Sequence, residues 1–441
     1  MIKDLTQGDI KTKLRSLAFP ATIGYLFHTF YNVTDTYFAG SISTEALAAL
    51  SISFPVFFLL LGIGIGMSEG LTAIVANSIG EGDREKAVIM SKNALILSLV
   101  LSVGVIVVGF LSSEFLMRLM GAEGEYLRYA VSYVDIIIIS GAFITVGMFV
   151  NALLNSQGDM VSFRNILIVS FFLNIVLDYS FVKMGYGVDG IGYATVISEA
   201  MITLYLLYKL IQTPLIAKGF SFERSFYPRV LKQGIPPTAN MIFMALGVFI
   251  LTYYAASYGQ EVVAMLGIGM RIEQIAIMPI VGINVAVLAM VSQNSGAKRY
   301  DRIHQILKIS LLDSLYVSVV AFFVLNIFAS ELMSLFSDDT KVIQEGIIFL
   351  HVEAWIIFAF AVVFVYVALL QGIEKPKFIF YLSLIRQIVL PVILLEIVTR
   401  LSDDILYVWL SIAFSVVVSG VVIWRYASHE LLKKESQYVS L

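Results

Sequence analysis

Twelve apolar stretches, each long enough to cross a lipid bilayer, restrict the possible folds of this chain more than any other feature. A helix needs about 20 apolar residues to cross the hydrocarbon core. Backbone exposed to lipid must satisfy its own hydrogen bonds, so we expect these stretches to be α-helices. The alternating ten-residue pattern of a membrane β-barrel is absent. The predicted spans are 16–38, 46–79, 88–113, 127–151, 162–183, 190–212, 233–256, 262–293, 305–328, 345–371, 378–400 and 404–427.

The composition agrees with a chain that is mostly surrounded by lipid. Hydrophobic residues make up 59% of the 441 residues and charged residues only 14%, whereas soluble domains are about a quarter charged. The absence of cysteine excludes disulfides and cysteine nucleophiles, and with four histidines a histidine-rich metal cluster is not expected. Residues 1–15 are polar and lack the order of a cleaved signal peptide, so we expect the N-terminus to be retained.

The distribution of lysine and arginine predicts the orientation of the chain. Of the 29 basic residues, 22 lie at the termini and in the even-numbered connections, and five lie in the odd-numbered connections. The other two, Arg271 and Arg386, fall inside spans. Because cytoplasmic loops carry the excess of basic residues, we expect both termini in the cytoplasm. The protein should be a multi-pass protein of the plasma or inner membrane.

An internal repeat with a constant offset of 216 residues relates the two halves. The aligned pairs are Phe19-Pro20 with Ile235-Pro236, 45–50 with 261–266, Gly80 with Gly296, and 152–154 with 368–370. Six spans return the chain to the same side of the membrane, so the halves are parallel repeats, as in many secondary transporters. The predicted organisation is a first lobe 1–212, a cytoplasmic linker 213–232, a second lobe 233–427 and a cytoplasmic tail 428–441.

Acidic residues inside membrane spans are costly and are therefore candidates for function. The main candidates are Asp35 and Asp178, whose equivalents in the second half are Leu251 and Leu394. The repeated scaffold therefore does not require an acid at these positions. The alternative to a functional role for Asp35 is a structural hydrogen bond between helices, or a position near the membrane rim, where a carboxylate costs little. Further acids within spans are Glu69, Asp135 and Glu199 in the first half and Asp313, Glu353 and Glu396 in the second.

Polar residues near the two main acids predict a pocket within the first half. Tyr31 precedes Asp35 by four residues and Asn174 precedes Asp178 by four, so each pair shares a helix face. Two further residues could join them: Tyr133 in the fourth span and Thr195 in the sixth. A buried carboxyl beside a second one could exchange protons, and the same oxygens could instead hold Na⁺. The sequence leaves both possibilities open.

Six short motifs occur in a fixed order along the chain. They are Asn32-Val33-Thr34-Asp35-Thr36, Ala76-Asn77-Ser78-Ile79-Gly80, Asn155-Ser156-Gln157-Gly158-Asp159, Asn174-Ile175-Val176-Leu177-Asp178, Gly190-Ile191-Gly192-Tyr193-Ala194-Thr195 and Gln293-Asn294-Ser295-Gly296-Ala297. Together they resemble the multidrug and toxic compound extrusion (MATE) transporters, in the branch of the DinF-like and archaeal proteins. The resemblance covers essentially the whole chain.

This resemblance implies an all-α membrane protein whose twelve helices form two six-helix lobes around a V-shaped central cavity. It also implies export of cationic or lipophilic drug-like compounds in exchange for H⁺ or Na⁺. The implied cation-coupling residues are Asp35, Asp178, Asn174, Tyr133 and Thr195, of which Asp35, Asp178, Asn174 and Thr195 would ligate Na⁺. To the substrate cavity we assign Tyr31, Asn32, Asn151, Met244 and Arg386.

Two positions depart from patterns in the family. Met244 stands where the NorM branch has an acidic residue in the seventh helix, which argues against a cation site of that kind in the second lobe. Glu199 stands where a neutral amide is frequent, which leaves open an additional charge in the first lobe.

The sequence therefore predicts a monomeric secondary antiporter in contact with membrane lipid, without cofactor other than the coupling ion and without a nucleic-acid partner. The alternative is a flippase for a lipid-linked precursor, but such proteins tend to add helices and to line the cavity with several cations. An enzyme is not expected, since the sequence has no His-Glu-x-x-His or Gly-x-Ser-x-Gly motif. The absence of a Gly-x4-Gly-Lys-Ser/Thr motif excludes an ATP-driven pump within this chain.

Overall fold

The computed structural model describes residues 3–216, 222–402 and 404–439, and its regular elements are helical. A 3₁₀ turn, Ala256–Tyr258, follows the seventh helix, and a π-helical turn, Ile385–Val389, joins the twelfth helix to the thirteenth. The helices are α1 (Ile10–Ile42), α2 (Thr44–Gly80), α3 (Arg84–Leu119), α4 (Gly124–Ser156), α5 (Val161–Lys183), α6 (Gly187–Ile211), α7 (Phe226–Ala255), α8 (Gln260–Gly296), α9 (Tyr300–Ile327), α10 (Ala329–Ser334), α11 (Thr340–Gly372), α12 (Lys377–Leu384), α13 (Leu390–Leu401) and α14 (Leu406–Val439).

The predicted all-helical membrane architecture is confirmed. In the described part of the chain, eleven helical segments are long and apolar enough to cross a membrane, and α12 and α13 count as one of them, Lys377–Leu401. The remaining long helix, α1, has 33 residues but is less apolar, because it carries polar side chains such as Asn32 and Asp35. Together with α1, the eleven segments follow the order of the twelve predicted spans. The chain is thus a multi-pass membrane protein.

Most of the helices extend beyond the apolar stretches that predicted them. The first helix begins at Ile10 rather than at residue 16, and α7 begins at Phe226, inside the stretch predicted as a linker. The last helix continues to Val439, through the stretch predicted as a tail. Hydropathy detects the part of a helix that lies in lipid, whereas polar residues can continue the same backbone hydrogen bonding into water.

Side-chain caps set the starts of α2 and α3. Ser43 Oγ accepts a hydrogen bond from Ala46 N at 3.1 Å. Asp83 Oδ1 accepts one from Lys86 N at 2.9 Å. Each cap satisfies a backbone N–H group that the first turn of a helix leaves without an intrahelical partner.

The chain forms two compact units. The first comprises Met1–Asp4 and Ile23–Met241, and the second comprises Leu5–Thr22 and Ile242–Leu441. The helices α1 and α7 are each divided between the units a few residues after a proline, Pro20 in α1 and Pro236 in α7. Each unit has its own hydrophobic core.

Candidate functional site

Two acids from distant parts of the sequence share a buried site inside the first unit. Asp35 on α1 is 6% exposed and Asp178 on α5 is completely buried. Asn174, one turn before Asp178 on the same face of α5, is also completely buried. The Asp35 carboxyl faces both Asp178 and Asn174. The packing of α1 against α5 therefore brings the two main candidate acids together.

A hydroxyl from α6 contacts this acidic pair. Thr195 Oγ1 lies 3.4 Å from Asp35 Oδ2 and 3.0 Å from the backbone oxygen of Ile191. A hydroxyl has a single proton and can donate to only one of these acceptors at a time. Since the bond to Ile191 is the shorter, the Asp35 carboxyl receives only a weak hydrogen bond from Thr195.

Two tyrosines and a third acid complete the cluster. Tyr31 and Tyr133 are both 5% exposed and lie within electrostatic reach of Asp35 and Asp178. Glu199, 6% exposed, follows Thr195 by one turn of α6 and interacts with Asp35 and Tyr31. The sequence had indicated Glu199 only as a weaker candidate, although its spacing of four from Thr195 places both on one helix face.

Several buried polar atoms of this cluster have no hydrogen-bond partner among the described residues. They are Asp35 Oδ1, both carboxylate oxygens of Asp178, both amide atoms of Asn174 and the Tyr31 hydroxyl. A buried polar group without a partner costs about 1–3 kcal/mol. A proton on one carboxyl would supply a donor between the two acids, and Na⁺ would take the oxygens as ligands. The donor set fits either cation.

The second unit has no equivalent of this acidic pair. Leu251, the repeat partner of Asp35, is 9% exposed and belongs to the hydrophobic core of the second unit. Leu394, the repeat partner of Asp178, is partly buried. The two equivalent positions therefore carry leucine in the second unit and aspartate in the first.

The five residues assigned to the substrate cavity are distributed over both units. The first unit contains Tyr31, Asn32 and Asn151, and the second contains Met244 and Arg386. Tyr31 belongs to the acidic cluster. Asn151 is 2% exposed and thus buried among the helices of its own unit, whereas Met244 is 39% exposed. A role in substrate binding remains a prediction for each of them.

Comparisons with known proteins agree with the repeated architecture. The MatE family model matches residues 20–180 and 236–395, once in each half and with starts that are 216 residues apart. The FAD transporter of Shewanella oneidensis is 25% identical over 406 residues, which cover 88% of this chain and 87% of that protein. The probable multidrug resistance protein NorM of Thermotoga maritima is 26% identical over 344 residues, which cover 76% and 74%.

Solved structures show the same fold over almost the whole chain. A crystal structure of a MATE protein in complex with MaL6 has a TM-score of 0.94 at 25% sequence identity, covering 98% of each chain. An outward-facing multidrug resistance MATE family transporter has a TM-score of 0.93 at 25% identity, again covering 98% of each chain. The fold described above is therefore the one that these transporters adopt.

Proposed function

The chain belongs to the MatE family of transporters, and from this premise we propose that it is a secondary antiporter. It exports cationic or lipophilic drug-like molecules in exchange for H⁺ or Na⁺. Multidrug resistance appears in the names of NorM of Thermotoga maritima and YoeA of Bacillus subtilis, and multidrug export in the name of MepA of Staphylococcus saprophyticus. The protein itself is a small-molecule transporter and not an enzyme.

One observation carries the proposal of cation coupling. Asp35 and Asp178 form a buried carboxyl pair with unpartnered oxygens, and the internal repeat has leucine at both equivalent positions. Packing alone does not require acids there, as the second unit demonstrates. Carboxyl groups inside a membrane protein mark ion and proton pathways. We therefore assign the coupling site to Asp35, Asp178, Asn174, Tyr133 and Thr195.

Coupling requires that the cation and the exported compound compete for the protein. A bound cation neutralises a charge at Asp35 or Asp178 and changes the hydrogen bonds that Thr195 and Tyr31 can make. A ligand shifts a conformational equilibrium only through different affinities for the two states. The neutral and the charged forms of this cluster provide such a difference, because α1, α5 and α6 all contribute to it.

We place the chain in the branch of the DinF-like and archaeal proteins. The acidic pair in the first half and the non-acidic Met244 on α7 support this placement. Two other substrate classes are alternatives to the drug-like cation. Similarity to a protein named FAD transporter favours a dinucleotide, and the wider superfamily includes flippases for lipid-linked precursors.

Proteoliposomes with imposed ion gradients test the proposed function. We expect an outward H⁺ or Na⁺ gradient to drive uptake of a fluorescent lipophilic cation such as ethidium, and an ionophore that collapses the gradient to stop it. The gradient that works identifies the coupling ion. Uptake that is the same with and without both gradients would reject antiport. Gradient-driven uptake of FAD or of a fluorescent lipid instead of ethidium would reassign the substrate.

We also propose that both termini are cytoplasmic, with lobes at 1–212 and 233–427, a linker at 213–232 and a tail at 428–441. The asymmetry of basic residues supports this orientation. Ser436, exposed on α14, is a suitable labelling position because the native chain has no cysteine. We expect Ser436→Cys to react with a membrane-impermeant maleimide only after the cells are permeabilised. Labelling in intact cells would show that the C-terminus lies outside the cell, contrary to the proposed orientation.

A further inference from the structure

The second unit contains an acidic pair that the site in the first unit does not use. Glu353 on α11 is 6% exposed, and Glu273 on α8 is partly buried. Both lie within membrane-spanning segments. Acids at such positions are costly and are usually retained for binding or transport.

The register between α8 and α11 brings these two acids together. Three of the contacts between the two helices join residues whose numbers differ by 80. A Cβ built on Gly269 would lie 2.5 Å from Cδ1 of Phe349. Asn284 Nδ2 donates a hydrogen bond to Phe364 O at 2.7 Å. A Cβ built on Gly372 would lie 3.2 Å from Ser292 N. A constant difference over this length means that the helices run parallel in one register.

Glu273 and Glu353 fit the same register. Their numbers also differ by 80, and they follow Gly269 and Phe349 by one helical turn, so they lie on the facing sides of the two helices. Their charges interact. Among the described residues, the intramembrane Arg271 forms no ion pair with either acid.

An unpartnered oxygen points to a ligand at this pair. Glu353 Oε2 is fully buried and has no hydrogen-bond partner among the described residues. Leaving a buried carboxylate oxygen without a partner is costly, and two neighbouring carboxylates resist being ionised together. A single positive charge between them removes both costs.

The first unit shows that the scaffold does not need acids here. The repeat partners of Glu273 and Glu353 are Phe57 and Ile137, which both belong to the hydrophobic core of the first unit. The helices α2 and α4 keep the same register, because Thr72 Oγ1 contacts Ala152 O, again a difference of 80. The second unit thus has two acids at positions where the first unit packs two hydrocarbon side chains.

We propose that Glu273 and Glu353 bind one monovalent cation, H⁺ or Na⁺, at a second site inside the second unit. Carboxylate oxygens are suitable ligands for either. This site lies on α8 and α11 and is separate from the position on α7 that is Met244 in this chain. It does not depend on coupling at Asp35, because each pair is buried within its own unit. The protein therefore has one cation site in each unit.

Infrared difference spectroscopy of the purified protein tests this proposal. The triple variant Asp35→Asn/Asp178→Asn/Glu199→Gln removes the carboxyl signals of the acidic cluster in the first unit, so its failure to transport has no bearing on the result. We expect the C=O band of a protonated buried carboxyl to persist in this variant at low pH. The band should disappear when the pH is raised, or at constant pH when Na⁺ is added if Na⁺ is the ligand. Adding Glu273→Gln and Glu353→Gln together should abolish the band and its response, and either change alone should move the pH at which the band disappears.

Two further variants keep the test independent of folding. Glu353→Asp retains a carboxyl, so the band should shift in frequency rather than vanish. Glu261→Gln changes a glutamate at the start of α8 whose side chain is 44% exposed, and it should leave the spectrum unchanged. A band that is absent from the triple variant, or one that persists unchanged when Glu273→Gln and Glu353→Gln are added together, would overturn the second site.

Discussion

Asp35→Asn is expected to abolish gradient-driven efflux while the protein remains folded and in the membrane. Asparagine has nearly the same shape as aspartate, but it can neither take up a proton nor supply a negative charge to Na⁺. Without the carboxyl, the coupling between cation and substrate, which is typically about 5- to 150-fold in affinity, is lost, and we expect efflux to fall to the level of cells without the transporter. Efflux of ethidium from energised cells, together with the amount of protein in the membrane, measures the effect.

Glu114→Gln is the matched control for this prediction. Glu114 lies on α3 of the same unit with a side chain that is 63% exposed, and the substitution likewise replaces a carboxyl by an amide. We expect it to retain most of the transport activity. Equal losses in the two variants would indicate a structural role for acids in this unit. Full efflux by Asp35→Asn would remove this residue from the mechanism.

Adding a single methyl group at Gly66 or Gly282 is expected to destabilise the folded protein. A Cβ on Gly66 would lie 2.3 Å from Thr238 N, and a Cβ on Gly282 would lie 2.1 Å from Thr22 Oγ1 and 2.8 Å from Thr22 N. The internal repeat relates Gly66 to Gly282 and Thr22 to Thr238. Each unit therefore contains the same close helix crossing, and backbone atoms there cannot move aside as a flexible side chain would.

We expect Gly66→Ala and Gly282→Ala each to cost about 1–3 kcal/mol, as overpacking of a tightly packed interior usually does. The melting temperature of the purified protein, followed by fluorescence-detected gel filtration, should fall by several degrees. Gly267→Ala and Gly104→Ala are the controls, because a Cβ at either position would have no atom within 4 Å. Equal melting temperatures for all four variants would show that the crossings can relax.

The architecture could be predicted from the sequence because a lipid environment allows few solutions. The spacing of apolar stretches determined the order of the helices, and the helical fold followed from backbone hydrogen bonding in lipid. The residues at which the helices begin and end were predicted less well. Ile10, Phe226 and Val439 lie in polar sequence that continues a helix outside the membrane, and hydropathy is insensitive to such extensions. The division of α1 and α7 between the two units also depends on packing, although a proline precedes each division by a few residues.

The first acidic cluster could be predicted in part, because its members share helix faces. Asn174 and Asp178 are one turn apart, and so are Tyr31 and Asp35. The pairing of Glu273 with Glu353 was missed, since the register between two helices depends on which side chains interlock. The Phe349 ring packs where a side chain at residue 269 would lie, which only glycine allows, and only the structure shows that contact. For the same reason the sequence could not indicate that Asn151 is buried within its unit.

Competition between the coupling cation and an exported compound tests most directly whether the Asp35–Asp178 pair couples transport. The dissociation constant of ethidium should be measured on the purified wild type and on Asp35→Asn over a series of pH values and of Na⁺ concentrations. We predict that saturation with the coupling cation weakens ethidium binding to the wild type, and that this dependence is lost in Asp35→Asn. The same cation dependence in both proteins would contradict coupling at Asp35.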